Sequence, residues 1–219
     1  MSENKHTEQP VAVAGFWKDN AKKIAIALGA IIVLVGGYLG YKYWISEPNE
    51  KKAAEAMFKA EEYYRLDSLN LALNGDAQNA GFLKVISKYS GTRAANLANF
   101  YAGSSYLKQG DFKNAVKYLE SFSTNAPQVK ARATALLADA YAEQGNKEKA
   151  VSLYAEAGKI FDADDYNSPE YLFRAGYLYE SMGKTKEAIE MYQLIKEKYP
   201  KSERGFDIDK YLGRLGAVE

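Results

Sequence analysis

Apolar residues follow two patterns along this chain, one continuous and one periodic. The continuous run, residues 24–41, has 18 residues and no charged side chain. As a helix it would extend roughly 27 Å, close to the ~30 Å hydrocarbon core of a bilayer. This run predicts a single membrane-spanning helix near the N-terminus.

Aromatic side chains flank the run on both sides, with Phe16 and Trp17 before it and Tyr41, Tyr43 and Trp44 at its end. Such amphipathic rings prefer the headgroup region of a bilayer. A cleaved signal peptide is the alternative, but the preceding tail is long and no cleavage site of the small-x-small type follows. We therefore expect the helix to be retained as an anchor.

Lysines give the expected orientation of this anchor. Lys18, Lys22 and Lys23 lie close before the run, and Lys42, Lys51 and Lys52 lie close after it, so the number of lysines near the two ends is balanced. Lys22 and Lys23 lie directly at the boundary, and the long C-terminal part can be translocated largely regardless of its charges. We expect residues 1–23 to form a cytoplasmic tail, residues 24–45 the transmembrane helix, and residues 46–219 a domain on the far side of the membrane.

The periodic pattern after the anchor recurs three times. Each copy has a small residue, then tyrosine three positions later, glycine at seven, alanine at twelve and a bulky residue at sixteen; the small residues are Gly103, Ala138 and Gly176. This spacing resembles the tetratricopeptide repeat, a pair of antiparallel helices A and B in 34 residues. The second and third tyrosines lie 38 residues apart, and we place the extra residues at 161–168.

Each recurring residue type has a physical reason. Small residues let helix B approach helix A, and glycine seven positions later ends helix A in a left-handed cap. We expect Pro127 and Pro200 to stop the B helices of the first and third repeats.

Weaker signals extend the predicted domain at both ends. A degenerate repeat comes first, with helix A at residues 50–66 and a turn-rich stretch at 67–79, and residues 204–215 form a closing helix. The predicted fold is all-α: one N-terminal transmembrane helix, then a solenoid of three to four helix pairs with a closing helix.

Composition excludes several functional classes. The chain has 29 basic and 28 acidic residues, a net charge of +1, which argues against nucleic acid as a partner. It has no cysteine, and its only histidine, His6, lies in the tail. The acidic cluster at 162–165 lacks the glycine and terminal glutamate of a calcium-binding EF-hand loop. We expect no catalytic residues, no metal site and no cofactor, and hence not an enzyme.

The concave face of such a solenoid is lined by helix A residues outside the core. These are Phe100, Tyr101, Ser104, Asp139, Phe173, Arg174 and Tyr177. Some repeat domains grip a C-terminal carboxylate with lysine, asparagine and arginine, but the matching positions here hold Phe100 and Ser104. The groove is better suited to an extended or helical apolar segment. For each residue the alternative is ordinary packing or solvation.

Three glycines, Gly29, Gly36 and Gly40, are spaced to lie along one face of the anchor. The spacing Gly36-x-x-x-Gly40 allows close packing of membrane helices. The alternatives are a specific helix partner and passive anchoring in lipid.

The anchor region also resembles a known family in residue detail. The sequences Gly15-Phe16-Trp17-Lys18-Asp19-Asn20 and Gly40-Tyr41-Lys42-Tyr43-Trp44, with a glycine-containing membrane helix between them and repeats after them, resemble the YfgM-like ancillary subunits of the bacterial Sec translocon. The resemblance implies a single-pass inner-membrane protein with a periplasmic repeat domain. It also implies association with the SecYEG channel and with PpiD, a membrane-anchored peptidyl-prolyl isomerase-like chaperone.

The expected function is therefore a membrane-tethered scaffold that receives or escorts newly translocated proteins together with a periplasmic chaperone. An envelope-assembly or cell-division scaffold that does not bind the translocon is the alternative. Copurified partners would distinguish the two.

Overall fold

The structure, a computed structural model, describes residues 11–217, and side chains from residue 20 onward. It divides into two units, Met1–Asn49 and Glu50–Glu219, and each is described by itself.

Part of the sequence prediction falls outside the described residues. This applies to residues 1–10, which include His6, and to the side chains of Phe16, Trp17 and Lys18 that flank the apolar run.

The first unit is helical, with α1 at Val11–Tyr41 followed by a π-helical segment at Lys42–Ser46. Most of its large apolar side chains are exposed: Val33, for example, is 73 % exposed. In the described part of the chain, one helical stretch, Asn20–Arg65, is long and apolar enough to cross a membrane by length and composition. Its most apolar 18 residues are 0 % buried. In water such exposed apolar area is strongly unfavourable, whereas lipid would cover it.

Ten helices follow within the described residues: α2 (Glu47–Arg65), α3 (Leu69–Asn74), α4 (Phe82–Lys88), α5 (Arg93–Lys108), α6 (Phe112–Glu120), α7 (Pro127–Glu143), α8 (Lys147–Ile160), α9 (Asn167–Ser181), α10 (Thr185–Lys198) and α11 (Glu203–Arg214). Consecutive helices pack as pairs, α5 with α6, α7 with α8 and α9 with α10, and α11 packs on α10. Residues 11–217 contain no β-strand. The predicted all-α solenoid with a closing helix is confirmed.

The repeated glycines end the A helices as predicted. Gly110, Gly145 and Gly183 have φ values of +77°, +78° and +71°, the left-handed region that only glycine occupies without strain. In two repeats the next residue caps helix B, because the side chains of Asp111 and Asn146 accept hydrogen bonds from backbone N–H groups in the first turns of α6 and α8.

Small residues on the A helices contact the B helices of their own repeats, also as predicted. A Cβ atom added to Gly103 would lie 2.6 Å from Cγ of Leu119 on α6, and one added to Gly176 would overlap the Tyr192 ring on α10. Ala138 is fully buried in the core that also contains Tyr154 of α8. In each repeat the bulky residue lies sixteen positions after the small one.

One local prediction was wrong. Pro127 does not stop helix B: α6 already ends at Glu120, and Pro127 is the first residue of α7, where its missing N–H group costs no hydrogen bond. The turn-rich stretch 67–79 also contains a short helix that the sequence analysis did not predict, α3, whose Leu73 is 2 % exposed in the N-terminal core. Burial of that side chain outweighs the turn-forming residues around it.

Candidate functional site

The first three predicted groove residues, Phe100, Tyr101 and Ser104, lie on α5. Tyr101 is half-buried, and its ring stacks on Phe82 at a centroid distance of 5.3 Å. Tyr64 contacts the Tyr101 ring edge-on at 5.1 Å. Tyr101 therefore joins α5 to the N-terminal helices.

Ser104 is part of the same packing. It is 5 % exposed, and its hydroxyl shares a 2.8 Å hydrogen bond with the hydroxyl of Tyr64. A partner protein has no direct access to this side chain. We leave Ser104 out of the binding surface proposed below.

Phe100 extends the aromatic contacts towards the second repeat. Its ring lies 5.6 Å from that of Tyr101 and 5.3 Å from that of Phe122, in the loop after α6. We call the five rings Phe122, Phe100, Tyr101, Tyr64 and Phe82 the aromatic chain. Aromatic pairs at such distances stabilise each other beyond the area they bury, so this chain holds the N-terminal half of the domain together.

The other predicted groove residues lie in the C-terminal half, on α7 and α9. Arg174 of α9 donates from Nη1 to Oδ1 of Asp139 on α7, at 2.9 Å. The hydroxyl of Tyr154 on α8 donates to the same carboxylate oxygen. One carboxylate thus connects three helices.

The network continues to the closing helix through Glu170, which the sequence analysis did not select. Glu170 accepts from Nε of Arg174 at 2.9 Å and from Nε of Arg204 on α11 at 2.6 Å. The guanidinium of Arg204 also stacks on Phe173, 3.9 Å from its ring centroid. Phe173 is only 9 % exposed, so it anchors α11 rather than facing solvent.

Burial and ion pairing have opposite effects on the pKa of Glu170 in this network. Burial pushes the pKa of Glu170 upward, but hydrogen bonds from Arg204 and Arg174 outweigh it and hold the pKa below its ordinary value. Burial, and then the bond to Asp139, raise the pKa of the Tyr154 hydroxyl. Glu170 is therefore ionised near neutral pH, and Tyr154 remains a hydrogen-bond donor.

The charged members of this network line a cavity of about 370 Å³ between α7, α9 and α11, which we call the charged cavity. Its lining includes Arg132, Leu136, Asp139, Glu170, Arg174 and Arg204. Two cavity residues that the sequence analysis did not select, Arg132 and Glu170, occupy equivalent repeat positions, six residues before the small residue of their repeat. This shared position is a sequence signal that could have identified them. Arg204 had none, since it lies outside the repeat pattern.

Tyr177, the last predicted groove residue, is 58 % exposed on α9, although its ring stacks on Phe173 at 6.4 Å. It is the predicted aromatic residue that remains most available to a partner. The predicted groove thus consists of a packed aromatic half and an open charged half.

The anchor glycines have free space around them. A Cβ atom added to Gly29 or Gly36 would meet no described atom within 4 Å, and one added to Gly40 would meet only the ring of Trp44, at 3.8 Å. A neighbour packed on this face would come from lipid or another protein.

Nothing in this arrangement points to catalysis. Among the described residues no group of three or more histidine, cysteine or carboxylate side chains could hold a metal ion. The charged cavity offers hydrogen-bond donors and acceptors for binding.

Paired helices with small residues at the A–B contacts define a helical-repeat protein. The chain belongs to the tetratricopeptide repeat-like domain family, which matches residues 15–209. Repeats of this type form protein–protein interaction scaffolds.

Two solved structures share the fold. Nearly identical TPR-like repeats of a Podosopora anserina kinesin light chain match with a TM-score of 0.55 and 17 % identity, over 76 % of this chain and 86 % of that one. A single-residue variant of those repeats matches with the same TM-score and 16 % identity, over 76 % and 85 %. No curated protein shows significant similarity to the chain.

Proposed function

We propose that the protein is a membrane-tethered scaffold that works at the exit of the Sec translocon. The observation that carries this proposal is the combination, in one chain, of an unburied apolar helix and a repeat domain with an open polar cavity. The helix would supply attachment, and the repeats would supply binding.

The proposed topology follows the charges and lengths along the chain. Residues 1–23 lie in the cytoplasm, residues 24–45 cross the inner membrane, and residues 46–219 form the periplasmic domain. Lys22 and Lys23 at the start of the apolar run favour this orientation.

The proposed partners are the SecYEG channel and a PpiD-like membrane-anchored chaperone. Support comes from the resemblance of the anchor and its aromatic flanks to the YfgM-like family. The open face of Gly29, Gly36 and Gly40 supports close approach of another membrane helix. Lipid contacts the remaining faces of the anchor.

The mechanism would be proximity rather than chemistry. Tethering raises the local concentration of the repeat domain near an emerging polypeptide, so even a weak binding site can capture it. Tyr177 and the charged cavity are the surfaces we assign to that capture.

Photo-crosslinking in native membranes tests this function. A crosslinker at Val33, next to the glycine face, should capture channel subunits without filling that face, and one at Tyr177 should capture the chaperone or an emerging polypeptide, both identified by mass spectrometry. Ile31 is the matched control, because it is also exposed but lies on the opposite side of the helix. Capture of envelope-assembly or cell-division proteins instead of channel subunits would support the alternative scaffold.

A further inference from the structure

The charged cavity contains more hydrogen-bond donors than its own acceptors use. A guanidinium carries five N–H groups. Arg204 donates a hydrogen bond from Nε to Glu170, and no described carboxylate accepts a hydrogen bond from its Nη1 or Nη2. Arg132 is exposed, interacts with the hydroxyl of Tyr171, and forms no ion pair with any described carboxylate. Both arginines line the cavity and retain N–H groups that no described carboxylate accepts.

The carboxylates deep in the network are, by contrast, already engaged. Asp139 accepts hydrogen bonds from Tyr154 and Arg174, and Glu170 accepts from Arg174 and Arg204. An incoming cation would meet carboxylates whose charge Arg174 and Arg204 already balance. An incoming carboxylate can instead bond to the unused N–H groups.

The rim limits how much negative charge a ligand can carry. Asp165 and Glu203 line the cavity, are exposed, and form no ion pair with a described residue. The three arginines therefore face four carboxylates in all. This balance disfavours a polyanion, while the two rim carboxylates would attract a basic group beside a single bound acid.

We propose that the charged cavity binds an extended segment of a partner protein through one acidic side chain, held by Arg132 and Arg204. A basic side chain of the same segment meets Asp165 and Glu203. This inference rests on the proposed function as a protein-binding scaffold and specifies the segment that is bound. It does not depend on the identity of the membrane partner.

A library of random peptides, selected on the full-length protein in lipid nanodiscs, tests the inference. Selection should enrich peptides with one aspartate or glutamate close to a lysine or arginine. Replacing that acid by its amide in an enriched peptide should weaken binding about tenfold, the effect of losing hydrogen bonds to a charged group.

Arg132→Gln should weaken binding of the same peptides about tenfold. It should not lower the melting temperature, because Arg132 is exposed and forms no ion pair with a described carboxylate. Lys130→Gln is the matched control: it removes the same charge from an exposed position of α7 outside the cavity, and binding should be unchanged.

The inference is overturned if no peptides are enriched, if enriched peptides lack acidic residues, or if Arg132→Gln binds them normally. A requirement for a free C-terminal carboxylate would overturn the assignment to a side chain. If peptides bind as expected but no channel subunits copurify from membranes, the cavity assignment holds and the translocon role fails.

Discussion

Arg174 of the third repeat and Asp139 of the second form an ion pair with a 2.9 Å Nη1–Oδ1 distance. Tyr154 bonds to the same carboxylate, while Glu170 connects Arg174 to Arg204 of the closing helix. The network joins four helices along the face that we assign to binding. The same side chains therefore stabilise the C-terminal half of the domain and shape its cavity.

The network should make stability depend on pH in a defined window. Burial raises the pKa of Glu170, but hydrogen bonds from Arg204 and Arg174 outweigh this effect and hold the pKa below its ordinary value. The stabilisation from this carboxylate is thus present above the unfolded pKa of about 4.3 and is lost as the pH falls through the lower folded pKa. Glu170→Gln should cost about 1 kcal/mol at neutral pH and progressively less below about pH 4.3.

Thermal denaturation followed by circular dichroism between neutral and acidic pH measures this effect. Glu156→Gln removes the same charge from an exposed position on α8 and should leave the melting temperature nearly unchanged at neutral pH. A difference between Glu170→Gln and wild type that stays constant down to low pH would contradict the assignment.

Gly176 tests the helix A–helix B contact of the third repeat. Gly176→Leu should lower the free energy of unfolding by about 1 to 3 kcal/mol, because a larger side chain must displace the buried Tyr192 ring. Denaturant unfolding measures the change. Ser181→Leu, at an exposed position of the same helix, should change it by less than about 0.5 kcal/mol. Equal effects of the two variants would mean that the contact does not limit stability.

Substitutions of Tyr101 and Tyr177 should differ in their effect on stability, because we assign Tyr101 to packing and Tyr177 to binding. Tyr101→Ala removes a ring that contacts Phe82 and Tyr64, and we expect a loss of about 2 kcal/mol, less than for a fully buried aromatic residue. Tyr177→Ala should lose less than about 0.5 kcal/mol, because the side chain is mostly exposed. Melting temperatures of the two variants provide the comparison. If Tyr177→Ala were the more destabilising, our division of the groove would be wrong.

The sequence predicted most of the fold because its repeat residues report local contacts. The distance from Gly103 to Leu119, or from Gly176 to Tyr192, is the same along the chain, so one helix A–helix B geometry recurs. Pro127 was misinterpreted because proline is compatible both with the region after a helix and with the first position of the next one. Where α6 ends depends on packing that the pattern does not encode.

The candidate site was less predictable for a different reason. Repeat position identified the helix face that carries Asp139 and Arg174, but position alone does not show which face residues are covered by neighbours. Tyr64 covers Ser104 from a helix outside the regular repeats. Arg204 reaches Glu170 from the closing helix, 34 residues further along the chain. Such long-range contacts have no periodic signal.

The proposed topology predicts that the repeat domain is accessible only from the periplasm. Protease added to spheroplasts should digest the domain, whereas intact cells and inverted membrane vesicles should protect it. A cytoplasmic protein of the same cells serves as the control for lysis. Protection in spheroplasts, or a mature N-terminus that begins after Ile45, would contradict the anchor and its orientation.

Copurification from native membranes tests the proposed tethering at the translocon most directly. Gly36→Leu with Gly40→Leu places bulk on an open face and should reduce the recovery of channel subunits, because it blocks close approach of another helix. Gly37→Leu adds the bulk of one leucine beside that face and should leave recovery unchanged. The repeat domain should fold normally in all these variants. Loss of channel subunits only in the Gly36→Leu, Gly40→Leu variant is the result we predict; wild-type protein that recovers no channel subunits, or full recovery by that variant, would contradict it.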